Sequence, residues 1–379
     1  VQSSVLERDG VLGVLEFRPS NAFHSRLDVF YSEFNESQDL KGIEFPLLFN
    51  GSTTLQPGFT VQNGLITAGT WTGIEGVVRN DVRTRESTVT AVGWNGEFEV
   101  NDRWSAAADV SYSHVERNDL DLETYAGTGP GAAAGPGGGV DDTLGFQQGG
   151  GSFIFSSVLD YTDPALIMLT DPQGWGQAGF IKEPQTDDEL RALRLSAERQ
   201  LENGPFSSWE FGINYSERTK DKTSIEAFID LNCSPGPVNS CSVPVPVGLR
   251  QGSTALAFLG IPGMLTYDPV ALLGTAGIYT LRPNLNPDVI SKTWGVEENV
   301  AVYYTQLNVD HELGGVPVTG NVGIQFVDTE QLSTGAVAQP GGGGTFVRVQ
   351  QGDSYLEMLP SLNLSFEVAD NSFLRLGVA

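Results

Sequence analysis

Residues 104–114 read Trp104-Ser-Ala-Ala-Ala-Asp-Val-Ser-Tyr-Ser-His114. Trp104, Ala106, Ala108, Val110 and Tyr112 fall on one side of an extended chain; Ser105, Ala107, Asp109, Ser111 and Ser113 fall on the other. Side chains of a strand alternate faces, so this segment has one apolar and one wet surface. The pattern recurs outward in both directions. Phe23, Leu27, Val29 and Tyr31 oppose His24, Arg26, Asp28 and Ser32. Leu193, Leu195, Ala197 and Leu201 oppose Arg194, Ser196, Glu198 and Gln200, and Trp209, Phe211, Ile213 and Tyr215 oppose Ser208, Glu210, Asn214 and Ser216. Similar segments run over 299–313, 318–326 and 356–368.

The connections are unequal. Sharp turns are expected at Pro19-Ser20-Asn21, Asn101-Asp102-Arg103, Asn203-Gly204-Pro205, Gly314-Gly315 and Asp370-Asn371, all rich in turn residues. Between them lie long excursions over about 36–83, 117–188 and 220–297, and a shorter glycine-rich loop that includes Gly341–Gly344. The stretch Gly127–Gly139 is low-complexity and builds no packed element. About ten strands with short turns at one end and long loops at the other predict an all-β fold, an antiparallel transmembrane β-barrel with long extracellular loops. Several strands reach the length that crosses a bilayer at a tilt. Phe98 and Trp104 flank a short turn, where a barrel carries its interfacial aromatic girdle. A soluble antiparallel sheet also alternates, so strand length and loop asymmetry carry the membrane reading.

Composition narrows the function. The 379 residues carry a formal net charge of −26, which disfavours binding to a nucleic-acid backbone. The apolar content of 40% is too high for a disordered acidic chain. The wet face holds Arg26, Asp28, Glu97, Asp109, Arg194, Glu198, Glu210, Asn308 and Asp310, which suits the water-filled bore of a wide barrel. Cys233 and Cys241 share a polar loop, which fits a local disulfide in an oxidising compartment; two free thiols are the alternative.

No phosphate-binding loop, zinc-protease helix or nucleophile elbow is present, and no catalytic role, cofactor or metal site is expected. His24, His114 and His311 are scattered over separate strands. The run Asp119–Glu123 lacks the spacing of a calcium loop and reads as a solvated loop. Ligand binding is placed in the loop 117–188, where Tyr125, Phe146, Phe153, Phe155, Tyr161, Trp175 and Phe180 mix with Asp and Gln. Aromatic faces beside hydrogen-bonding groups suit a sugar ring or an aromatic siderophore. Tyr125, Tyr161, Asp171 and Trp175 are the chosen candidates; Tyr161 and Trp175 adjoin Asp-Pro turns that fix a loop. The alternative is that these aromatics pack the loop against itself or sit at the membrane rim.

A set of words spread along the chain adds a resemblance. Gly42-Ile-Glu-Phe-Pro-Leu-Leu48, Val77-Val-Arg-Asn-Asp81, Tyr161-Thr-Asp-Pro164, Leu169-Thr-Asp-Pro-Gln-Gly-Trp175, Phe211-Gly-Ile-Asn-Tyr-Ser-Glu-Arg218 and Leu359-Pro-Ser-Leu-Asn-Leu364 occur in the order expected of a barrel. The chain thereby resembles the TonB-dependent receptor family, in particular the branch abundant in Caulobacter- and Xanthomonas-type bacteria. The resemblance implies part of a 22-stranded barrel in a Gram-negative outer membrane. It also implies energy-coupled uptake of a scarce solute, an oligosaccharide or a ferric siderophore. The implied partners are outer-membrane lipid and, through an N-terminal plug, the TonB–ExbB–ExbD complex. Residues 1–379 are expected to be a partial barrel domain without the plug, its TonB-box or the final strands, because the chain opens on Val1 and stops within a strand at Phe373–Ala379. Two other readings stand beside this one: a passive porin, and a secreted soluble β-protein, either an adhesin or a carbohydrate-active enzyme.

Overall fold

The computed structural model describes residues 1–47, 53–130, 139–149, 151–238, 240–338 and 346–379. Most of the low-complexity stretch, 131–138, and the Gly341–Gly344 tract lie outside the described residues. Among the described residues three short strands, Met168–Leu169, Val243–Pro244 and Tyr279–Pro283, join one antiparallel sheet whose continuous path is ten long strands, each paired with the next long strand in sequence. The long strands are β1 (Gln2–Ser20), β2 (Phe23–Glu44), β3 (Val77–Asn101), β4 (Trp104–Gly127) and β5 (Gly179–Gln200). Then follow β6 (Phe206–Leu231), β7 (Trp294–Leu313), β8 (Val316–Ala338), β9 (Phe346–Ala369) and β10 (Ser372–Val378). This is the up-and-down topology of a barrel wall. Among the described residues no pairing joins β1 to β10, so the sheet is open. The all-β, antiparallel expectation holds, and all the expected sharp turns fall between paired strands.

Register turns the alternation of single strands into continuous surfaces. Leu15, Leu27, Trp94, Val110, Leu193 and Tyr215 stand directly opposite one another in one row across β1 to β6. Leu195, Ile213, Tyr303, Phe326 and Met358 continue the same face to β9. One residue along, the row Glu16, Arg26, Asn95, Asp109, Arg194 and Asn214 lines the opposite face. A slip of one residue in any pair would break both surfaces. Near the turns, aromatic rings gather: Phe23 lies 4.8 Å from Phe98, and Trp104 lies 6.3 Å from Phe211.

The strands are longer than their apolar alternation. β4 and β5 continue to Gly127 and from Gly179, deep into the region expected to be loop, and β2, β3, β6 and β7 extend likewise. Cross-strand ion pairs hold these extensions on the polar face: Arg83 with Asp121 at 2.9 Å, Arg85 with Asp119 at 3.0 Å and Arg218 with Asp188 at 2.6 Å. Opposite charges across a ladder stabilise it without leaving a hydrophobic period to read. The run Asp119–Glu123 is therefore strand, not solvated loop, and its acids are engaged by arginines.

The apolar face changes partner with height. On β4 it runs from Trp104 to Tyr112 as an apolar band, half-buried except at the exposed Val110, passes through His114, Glu116 and Asn118, and becomes apolar again at Leu120, Leu122 and Ala126. On β5, Leu193–Ala197 gives way to Glu189 and Asp187 and then to the buried Ile181. The upper apolar zone is covered by the long loops. They build the molecule's core, with Val78, Ala126, Leu169, Leu231, Met264 and Tyr267 all but inaccessible. Two of the loops share a small sheet, in which Leu65–Ile74 pairs with Asp142–Gly149. The third adds the hairpin Arg250–Leu256 and Ile261–Tyr267, followed by a short helix, Pro269–Leu273, capped by Asp268. Asn80 ties the wall to that hairpin: its side-chain amide donates to the Leu265 carbonyl at 3.2 Å and its oxygen accepts from the Tyr267 N–H at 3.3 Å.

Candidate functional site

Above the apolar band, the polar face ends in a compact group of aromatic and charged side chains. It begins with a loop that one carboxylate organises. Asp171, 1% exposed, accepts the backbone N–H groups of Trp175 at 2.9 Å, Gly176 at 2.7 Å and Gln177 at 3.1 Å. Burial pushes its carboxyl above the ordinary aspartate value, and those N–H groups oppose the shift. Gly176 has φ +80°, and a side chain there would meet the Pro237 carbonyl. The loop thus presents Trp175 at the surface, 46% exposed.

Trp175 rests edge-on against Tyr125, with ring centroids 5.2 Å apart. Tyr125 is buried; its hydroxyl donates to Glu123 at 3.1 Å and accepts from the Gln177 side chain at 3.2 Å. Burial and the Glu123 charge raise its phenol well above the usual value. Arg79, directly opposite Tyr125 in the ladder, lies 4.9 Å from that ring and contacts Glu44 at 2.6 Å, Asp81 at 2.7 Å and Glu123 at 2.9 Å. One guanidinium cannot fully compensate three carboxylates in a partly desolvated place. Asp81 is accordingly pushed up to about 6, by burial first and by Glu123 in addition, with Arg79 pulling the other way.

On the other side of Trp175, Arg282 donates to the Gly176 carbonyl at 2.8 Å and to both oxygens of Asp230 at 2.8 and 3.0 Å. Its guanidinium lies 4.5 Å above the Phe228 ring, which packs edge-on to Phe180 at 5.4 Å. The Lys182 ammonium sits 5.4 Å from the Phe180 ring. The group therefore offers one exposed indole, two half-buried phenyl rings and a rim of charged hydrogen-bonding partners, all on the polar face. Such a surface can stack a ring and bond its polar edge.

Of the four sequence candidates, Tyr125 and Trp175 come together here and Asp171 shapes the loop between them. Tyr161 is elsewhere. It is 1% exposed within the loop core, its hydroxyl donates to Asp142 at 3.1 Å, and its ring lies edge-on to Phe45 at 5.7 Å. Its Asp-Pro neighbourhood fixes a packing element and leaves no face for a ligand. Cys233 and Cys241 form the expected disulfide. Arg79, Glu44, Asp81, Arg282 and Asp230 were not singled out from the sequence. Arg79 and Asp81 two apart at the head of a strand were a usable signal, since such residues share a face. Arg282 joins from a distant loop and left no such trace.

No protein-family model matches the chain, and no curated protein does. Among solved structures it is similar to the crystal structure of the siderophore receptor PiuA from Acinetobacter baumannii, with a TM-score of 0.37 and 8% identity. The match covers 97% of this chain and 47% of that one, so the chain spans about half of that structure's length.

Proposed function

We propose that the intact protein is an outer-membrane receptor that takes up a scarce solute, an oligosaccharide or a ferric siderophore, by energy-coupled transport. One observation carries the membrane part: register assembles an exposed apolar band, continuous across β1 to β9, on the back of a continuous polar surface. On β4 the band spans Trp104–Tyr112, within the roughly 9–11 residues a tilted strand needs to cross a bilayer. A soluble sheet would bury such a face against a second layer. Here only its upper extension is buried, under the loops. The lower part is left for lipid and the polar face for the bore.

The receptor part rests on the group around Trp175, which stands on the bore side above the band. Its role in this reading is binding, not catalysis, and coupling runs through a plug domain to the TonB–ExbB–ExbD complex. The test uses the intact protein in its own cells. It should be extracted by detergent from outer membranes, and solute uptake should stop when a protonophore collapses the proton-motive force. Uptake that persists would instead make the protein a passive porin. Recovery in the aqueous wash would remove the membrane reading altogether.

A further inference from the structure

The acidic zone between the lipid-facing band and the loop core contains an arrangement the transport reading does not use. Glu116 stands directly opposite Asp187 in the ladder, and Asp187 directly opposite Asp221. Like charges in register across neighbouring strands repel and destabilise the sheet. On the polar face at this height, carboxylates are met by arginine or lysine, as Asp188 is by Arg218 and Lys220. On the outward face, among the described residues, Glu116 has no ion pair and Asp187 has one only with a histidine. That residue is His114, whose Nε2 lies 2.8 Å from Asp187 Oδ2. One ligand atom from each of His114, Glu116 and Asp187 falls within 4.8 Å of the others.

We propose that His114, Glu116 and Asp187 form a binding site for a divalent transition-metal cation such as zinc, on the outward face just above the membrane band. One imidazole and two carboxylates are a set that such a cation accepts, at about 2.0–2.2 Å per bond. At that bond length neighbouring ligands in a coordination sphere stand roughly 3.0–3.4 Å apart, so the His114–Asp187 contact is already close to a metal-site edge. Residues 114 and 116 share a strand face, and Asp187 comes from the adjacent strand, so binding requires only side-chain rotation. The cation supplies the positive charge the register lacks and ties β4 to β5. The histidine distinguishes this site from the rest of the acidic zone, which attracts counterions without selecting among them.

The test is a titration of the untagged intact protein in detergent with Zn2+, and separately with Ca2+. A Zn2+ site is expected whose affinity falls at least tenfold in His114→Gln and in Asp187→Asn. Glu33→Gln, elsewhere in the zone, should leave it unchanged, and Ca2+ should bind at least tenfold more weakly. A second readout is the electron paramagnetic resonance spectrum of bound Cu2+: nitrogen coupling should persist in a His24→Gln, His311→Gln background and be lost or reduced in His114→Gln. Equal binding of Zn2+ and Ca2+, insensitivity to His114→Gln, or Cu2+ without nitrogen coupling would each overturn the proposal.

Discussion

An arginine at Leu195 separates a lipid-facing wall from a water-facing one. Leu195 is 44% exposed and stands between Ala108 and Ile213 in the apolar row. On β5 this face carries Arg191 and Arg199 at its two rims, with Leu193, Leu195 and Ala197 between them. Leu195 is thus the midpoint, where an arginine in a barrel wall costs about 2–4 kcal/mol. That is roughly a 30- to 700-fold loss in the folding equilibrium constant, at about 1.4 kcal/mol per factor of ten. Arg199 escapes such a cost at the rim, where its guanidinium reaches 5.6 Å from the Trp104 ring. Ser196→Arg is the matched control. Its side chain lies on the polar face; the Tyr304 ring covers Gly212 on one side, but on the other Ala107 opens onto a cavity lined by Glu97, Ser105 and Glu198, so the arginine should cost no more than about 0.5 kcal/mol. The assay is urea unfolding of the intact protein from lipid vesicles, followed by the gel mobility of heated and unheated samples. If the two arginines cost the same, the apolar band does not face hydrocarbon and the assignment of the two faces fails.

Four further outcomes test the loop core and the site. Asp171→Ala should free the N–H groups of Trp175, Gly176 and Gln177 and destabilise that loop by about 2–3 kcal/mol, measured as faster hydrogen exchange at these amides. Tyr161→Phe should cost about 1 kcal/mol through the lost bond to Asp142, and Tyr161→Ala about 3–5 kcal/mol through the cavity, both read by denaturant midpoints of the intact protein. Asp81 holds its proton more tightly folded than unfolded, so its contribution to stability falls as pH rises from about 4 to about 6, by at most about 1.4 kcal/mol per pH unit. Subtracting the Asp81→Asn profile from the wild-type profile should isolate that slope, and a difference rising with pH would contradict the burial argument. Reducing Cys233–Cys241, which closes a loop of separation 8, should release about 2.5 kcal/mol of local restraint and speed proteolysis within 232–242 while the wall stays folded.

The strands, their two faces and the sharp turns were readable because period-2 alternation and turn residues are local properties of the chain, as at Trp104–Tyr112 and Asn203-Gly204-Pro205. The disulfide was readable for the same reason: its partners are near neighbours in one loop. The upper halves of β4 and β5 were not. Arg83, Asp121 and Asp188 sustain pairing through charges whose partners sit on other strands, and a run of acids such as Asp119–Glu123 looks the same in a loop as in a ladder. Tertiary structure alone decided the fate of the loop aromatics. Tyr161 and Trp175 have similar local settings, yet one is enclosed by Phe45 and Asp142 and the other is lifted to the surface by Asp171 and backed by Tyr125. Burial depends on contacts between segments about a hundred residues apart, such as Arg282 with Gly176, and local pattern carries no record of them. Alternation thus determined which side of the wall each residue occupies, while the folded loops decided which stretches of those sides are buried in the core and which stay exposed.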